Sequence, residues 1–260
     1  MKVGVFDSGV GGLSVLHCAK KMLPQTDFVY YADEKNVPYG EKTPDEIRGF
    51  LKQIFHFMLD KDVDAIVIAC NTATSTLTRE YRAQFPVPIV GMEPAVKKAV
   101  DDYQKDGKKI LVAATPVTIA SNKLHHLMEQ VDKRNNVDLI ALPKLVRFAE
   151  QGNFTSKEVE DYLRNEFATY DLSAYGTIVL GCTHFNYFKE QFQNIFGEQI
   201  HFVDGNEGTI HQLIRVMAVQ NPNCGHGKVE YYFSGARADE EGKEFISQCM
   251  EQLDEVYAIE

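Results

Sequence analysis

Nothing in this chain approaches the roughly eighteen consecutive apolar residues of a membrane span. The opening MKVGVFDSGVGG runs from a strand pattern straight into a turn, without the charged and apolar regions of a signal peptide. No block of about five or six Lys or Arg occurs, and 27 basic against 37 acidic residues leave a net charge of −10, which argues against a nucleic-acid surface. Cysteine is sparse. Five residues at irregular spacing (Cys18, Cys70, Cys182, Cys224, Cys249) make neither a disulfide framework nor a zinc site, so the expected setting is a reducing cytoplasm in which each thiol needs its own explanation. There is also no low-complexity linker. What remains is a globular composition of 260 residues, 44% hydrophobic and 25% charged, long enough for one large or two modest domains.

Short apolar runs alternate with helical spacing along the whole chain. Strands are expected at 2–6, 27–32, 64–69, 87–91, 109–114, 137–142, 176–181, 199–203 and 228–233. Most are continuous apolar runs rather than strict alternations, the mark of strands covered on both faces. Helices are expected at 11–23, 44–60, 73–84, 93–104, 118–130, 155–169, 185–195, 207–219 and 237–252. The pattern predicts an α/β protein with parallel sheets built from crossover units. Tight crossings near 91–94 and 204–208 predict two Rossmann-like domains, 1–92 completed by 207–260, and 93–206, facing each other across a cleft.

Two segments look like copies of one design: I-V-I-A-Cys70-Asn71-Thr72 and I-V-L-G-Cys182-Thr183-His184. Each is a buried-strand run ending in a cysteine and followed by polar residues. A lone free cysteine is usually a small buried hydrophobe. The shared position of these two, ahead of a helix N-terminus that would favour a thiolate, shifts the balance towards chemistry. Two thiols at facing strand ends would address opposite sides of one small substrate. His184 is open to acid–base work, a polar cap or a metal, although no clustered Cys/His partner supports the metal. Asp7 and His184 would then be the titrating neighbours of Cys70 and Cys182 respectively. The turn Asp7-Ser8-Gly9-Val10-Gly11-Gly12 has neither a P-loop's spacing nor a dinucleotide fingerprint; it reads as a capped turn or as an anion-binding set of backbone amides. Pro38-Tyr39-Gly40 reads as a turn able to present Tyr39 at the ligand edge of a sheet. Cys18, Cys224 and Cys249 have only the structural reading, and no lysine sits where a Schiff base would want one.

Taken together, Asp7-Ser8-Gly9, Pro38-Tyr39-Gly40, Cys70-Asn71-Thr72-Ala73-Thr74 and Gly181-Cys182-Thr183-His184-Phe185 resemble the cofactor-independent glutamate racemases, in that family's order and over nearly the whole chain. The resemblance implies two-base interconversion of L- and D-glutamate, with Cys70 acting on the D and Cys182 on the L enantiomer and Asp7 and His184 supporting them. It implies substrate binding by Asp7, Ser8, Pro38, Tyr39, Gly40, Asn71, Thr72, Thr115, Thr118, Glu150, Thr183 and His184. It also implies no pyridoxal phosphate or other cofactor, no metal, a homodimer, and D-glutamate supplied to peptidoglycan for the cell wall. His184 favours glutamate over aspartate, since the related aspartate racemases typically carry Glu there. The chain departs from the pattern at Ala114 before Thr115, at Gly205, and in Leu142–Glu150, where Arg147 stands in place of a second proline. Competing readings are a racemase for aspartate or another amino acid, a non-catalytic binder of an acidic amino acid, and a thiol redox enzyme.

Overall fold

The computed structural model describes residues 1–92, 95–103, 107–218 and 223–258. The boundary expected near 91–94 therefore falls partly outside the described residues. Ten strands form two sheets. The first has the order β10-β9-β2-β1-β3-β4, from β1 (Lys2–Asp7), β2 (Asp27–Ala32), β3 (Ala65–Ile68), β4 (Ile89–Gly91), β9 (Val229–Phe233) and β10 (Ala236–Arg237). The second has the order β6-β5-β7-β8, from β5 (Lys109–Ala114), β6 (Val137–Ala141), β7 (Tyr175–Leu180) and β8 (His201–Val203). All pairings are parallel except β9–β10, a short antiparallel addition that the apolar pattern did not announce because it is two exposed residues long.

Burial explains the strand composition. Five of the six residues of β1, β2 and β5 are buried, as covered parallel strands require. The helix Pro44–Leu59 shows how locally the connecting elements are specified. Thr43 and Glu46 close a capping box, Pro44 occupies the first turn, and Ile47, Leu51, Ile54, Phe55 and Met58 form its buried stripe. Two helical runs break where a threonine or serine starts a new cap: 73–84 divides into Asn71–Thr76 and Arg79–Arg82, and 118–130 into Pro116–Ile119 and Asn122–Val131. The last helix begins later and runs further than its period suggested, Glu240–Tyr257.

One helix was not foreseen. Residues Pro143–Glu150 are helical, with Pro143 in the first turn and Leu145, Val146, Phe148 and Ala149 buried. Arg147 points to solvent, which is why a charged residue is tolerated there. Beneath the sheets' facing ends, a single apolar cluster runs from Val3, Leu13 and Leu16 through Phe154 and Tyr187 to Leu180 and Phe192. It joins the two sheets into one packed body under the strand ends.

Candidate active site

In each sheet the chain order reverses about its first strand. β2 and β3 flank β1, and β6 and β7 flank β5. Ligands of open parallel sheets bind outside the carboxyl ends at such switch points. The ends of β1 and β3 carry Asp7-Ser8 and Cys70-Asn71-Thr72; the ends of β5 and β7 carry Thr115 and Cys182-Thr183-His184. Both cysteines occupy the same place, two residues beyond their strand and at the cap of the helical turn that follows.

Cys70 Sγ accepts from the Ala73 N–H at 3.4 Å, and its thiol lies 3.7 Å from Ser8 Oγ. The helix it caps is only six residues long. Burial, and after it the Asp7 carboxylate, push the Cys70 thiol well up, against the smaller opposing pull of the Ala73 and Ser8 contacts. At Cys70 desolvation thus outweighs the one backbone donor that the helix N-terminus supplies.

On the other side, Cys182 Sγ lies 3.7 Å from His184 Nδ1, and His184 Nε2 lies 2.5 Å from Glu150 Oε1. Burial acts to lower the imidazole's affinity for its proton, but its bonds to Cys182 and Glu150 and their charges hold it well above the usual histidine range. Glu150 Oε1 also accepts from the Val10 N–H at 2.8 Å. Asp7 Oδ2 accepts from the Gly12 N–H at 2.9 Å and the Gly9 N–H at 3.4 Å, and the Thr183 hydroxyl sits 3.4 Å from both of its oxygens. The glycine-rich turn therefore spends the amides of Gly9, Val10 and Gly12 on the protein's own carboxylates, and these are not donors for an anionic ligand. Glycine is required there for close approach: a Cβ on Gly9 would stand 1.8 Å from Glu150 Oε1, and one on Gly11 2.4 Å from His184 Nδ1.

Between the two cysteines lies a narrow cleft. Ser8, Pro38, Tyr39, Gly40, Cys70, Asn71 and Thr72 line it from one sheet; Thr115, Val146, Cys182, Thr183 and His184 line it from the other. Three hydroxyls meet across the two sides, with Thr118 behind Thr72 and Thr115: Thr72 and Thr115 at 3.0 Å, Thr115 and Thr118 at 3.0 Å, Thr72 and Thr118 at 3.4 Å. Of the residues singled out in the sequence, Asp7, Glu150 and Thr118 do not line the cleft. They stand behind Thr183, His184 and Thr115 and hold them. Tyr39 lines it, but its hydroxyl donates to Asp33 Oδ2 at 2.7 Å. Val146 was missed; it lies one helical turn before Glu150, so a helical period applied to 143–150 would have found it. Among the described residues, no group of three or more His, Cys, Asp or Glu could hold a metal, and no helix is long and apolar enough to cross a membrane.

Residues 14–213 match the family model described as Asp/Glu/Hydantoin racemase. The chain belongs to this racemase family. It is 51% identical, over 94% of its length and 93% of the relative's, to a glutamate racemase of Campylobacter curvus. It is 44% identical over the full length of both chains to a glutamate racemase of Lachnospira eligens. A solved structure of glutamate racemase from Campylobacter jejuni superposes with a TM-score of 0.77 at 27% identity, over 98% of each chain.

The racemase cleft is nearly shut, with ≈ 10 Å³ of free volume, room for about one water molecule. Behind it stands a carboxyl, Asp7, that burial disfavours as an anion. Burial raises Asp7 from 3.8 to about 6, while His184 pulls it down and Glu150 pushes it up. A carboxyl that holds its proton more tightly folded than unfolded stabilises the fold fully only below about pH 4 and loses that contribution as pH rises to about 6, a difference of about 3 kcal/mol. Asp7→Asn keeps an oxygen for the Gly12 N–H but carries no charge. Its Tm is expected to exceed the wild type's at pH 7, with the gap closing near pH 4; a gap of the same size at both pH values would show that burial does not strain this carboxylate.

Proposed function

We propose that this racemase interconverts L- and D-glutamate by proton transfer at Cα between two cysteines. The observation that carries the reading is the placement of two buried thiols, at equivalent strand ends of two sheets, against one closed cleft. A thiolate cannot usefully deprotonate an amino acid's Cα unless the carbanion is stabilised, in a dry and preorganised site. Asn71, Thr72, Thr115 and Thr183 supply hydrogen-bonding groups for the carboxylates, and the substrate's own ammonium lowers the carbanion's energy further.

In the L-to-D direction, Cys182 as thiolate takes the Cα proton while Cys70 as thiol delivers its own to the opposite face. The products are D-glutamate, a Cys182 thiol and a Cys70 thiolate, which is the state poised for the reverse reaction. The assignment of Cys182 to the L and Cys70 to the D enantiomer is the one the family resemblance implies, and the surroundings suit it. An imidazolium at His184, held by Glu150, is the partner a Cys182 thiolate needs, whereas burial and Asp7 keep Cys70 protonated at rest. The role of Glu150 is thus to orient and charge His184 rather than to touch substrate.

The same reading divides the chain into 1–92 with 207–260, and 93–206, supported by the sharing of strands between the two sheets. It carries with it a cytoplasmic location, D-glutamate for peptidoglycan and a homodimer, all of which rest on the family resemblance. The deciding test incubates the purified chain in deuterated water with each enantiomer of glutamate and of aspartate. Inversion of glutamate with deuterium at Cα is expected. Because enantiomers have equal free energy, kcat/KM must be the same in both directions. Faster turnover of aspartate would reassign the substrate, and binding without exchange would make the chain a binder.

A further inference from the structure

The cleft's rim carries a charge pair that the active-site chemistry does not use. Arg147, on the solvent side of the helix Pro143–Glu150, reaches Glu41 at 2.6 Å, on the turn Tyr39–Glu41. The partners are 106 residues apart in sequence and each is next to a cleft-lining residue, Val146 on one side and Gly40 on the other. Their side chains are 61% and 45% exposed, so the pair is a clasp at the surface. With ≈ 10 Å³ free, the cleft as it stands admits no amino acid, so its walls must part before one reaches the cysteines.

The electrostatics give the clasp a second role. Among the described residues lining the cleft there is no Lys or Arg, Asp7 and Glu150 stand behind it, and the whole chain carries −10. A dicarboxylate therefore approaches an acidic surface, and a guanidinium at the rim is the group suited to receive it, because its fork matches a carboxylate. Opening frees that fork.

We propose that Arg147 is the access residue of the cleft: clasped to Glu41 when closed, it exchanges Glu41 for a carboxylate of the incoming substrate when the rim opens. This rests on the glutamate racemase reading. An exposed pair of this kind contributes little to stability, so variants at either position should fold as the wild type does. Steady-state kinetics with glutamate would be measured between about 0.01 and 0.15 M ionic strength, where the screening length contracts from about 30 to about 8 Å.

Wild-type kcat/KM should rise less with salt than that of Arg147→Gln, because the guanidinium offsets part of the repulsion between an anionic substrate and an acidic chain. Arg147→Gln should lower kcat/KM by about three- to tenfold at low salt through KM, make kcat/KM climb more steeply as salt rises, and leave kcat unchanged or raised. Arg147→Lys should restore the wild-type salt dependence, and Glu41→Gln, which removes the competing carboxylate, should raise low-salt kcat/KM by roughly two- to threefold. An Arg147→Gln variant with wild-type kcat/KM and salt dependence, or with its loss confined to kcat, would overturn the proposal while leaving the racemase reading intact. A wild-type chain that does not turn over glutamate would remove that reading, and this inference with it.

Discussion

Cys70→Ala and Cys182→Ala are each expected to lose racemisation in both directions, by more than about 10³-fold in kcat/KM. The argument is one of stoichiometry at a stereocentre. Inversion needs a proton removed from one face and another delivered to the opposite face, and each buried thiol serves one face. Removing either leaves a base without an acid, or an acid without a base. Losing only one direction is impossible, because the equilibrium constant between enantiomers is fixed by symmetry. Alanine fills most of a cysteine's volume, and the contacts of Cys70 Sγ are long, 3.4 Å from the Ala73 N–H and 3.7 Å to Ser8 Oγ. Thermal unfolding should therefore barely change, which separates lost chemistry from lost fold. Racemisation at the wild-type rate in either purified variant would end the two-base account.

Gly11→Ala should also be severe, although it touches neither thiol. Its methyl would lie 2.4 Å from His184 Nδ1 and 2.5 Å from the Thr183 hydroxyl. Both residues are buried and bonded, His184 to Glu150 and Thr183 to Asp7, so neither can swing away without breaking those contacts. Overpacking of this kind typically costs about 1–3 kcal/mol. A displacement of about an ångström at the acid–base partner of Cys182 lowers the rate by about 10²-fold. The expected signature is a lowered Tm together with a fall in kcat of that order. Wild-type kcat with only a lowered Tm would show that the position of His184 does not matter to turnover.

Much of this site could be read along the chain. The two strand-Cys-polar segments lie where a parallel strand meets a helix, and both signals are local: apolar composition gives the strand, and the residues after it give the cap. Other features could not be read that way. The helix Pro143–Glu150 went unread although its buried Leu145, Val146, Phe148 and Ala149 follow a helical period; what no local pattern carries is that Arg147 on its outer side meets Glu41, 106 residues away. The glycine-rich turn reads as either a cap or a set of ligand donors; Asp7 takes the Gly9 and Gly12 amides, and Val10 gives its N–H to Glu150, 140 residues away. Tyr39 lines the cleft, but that its hydroxyl is held by Asp33 is not visible in the turn's sequence.

The protonation of Cys70 shows where the division falls. That a thiol stands at the start of a helical turn is a property of a few neighbouring residues, and those residues specify it. Whether that thiol is drawn towards its anion or held as an acid depends on how far water is excluded and which carboxylates are packed behind it. Asp7, Glu150 and His184 come together from three separate stretches, and their charges act through a dry interior where such neighbours count most. Strand positions and capping are thus written in short-range pattern. The closure of the cleft, the pairing of Arg147 with Glu41 and the readiness of each cysteine arise when distant segments are brought within a few ångströms, because burial and Coulomb interactions depend on distance in space rather than on separation along the chain.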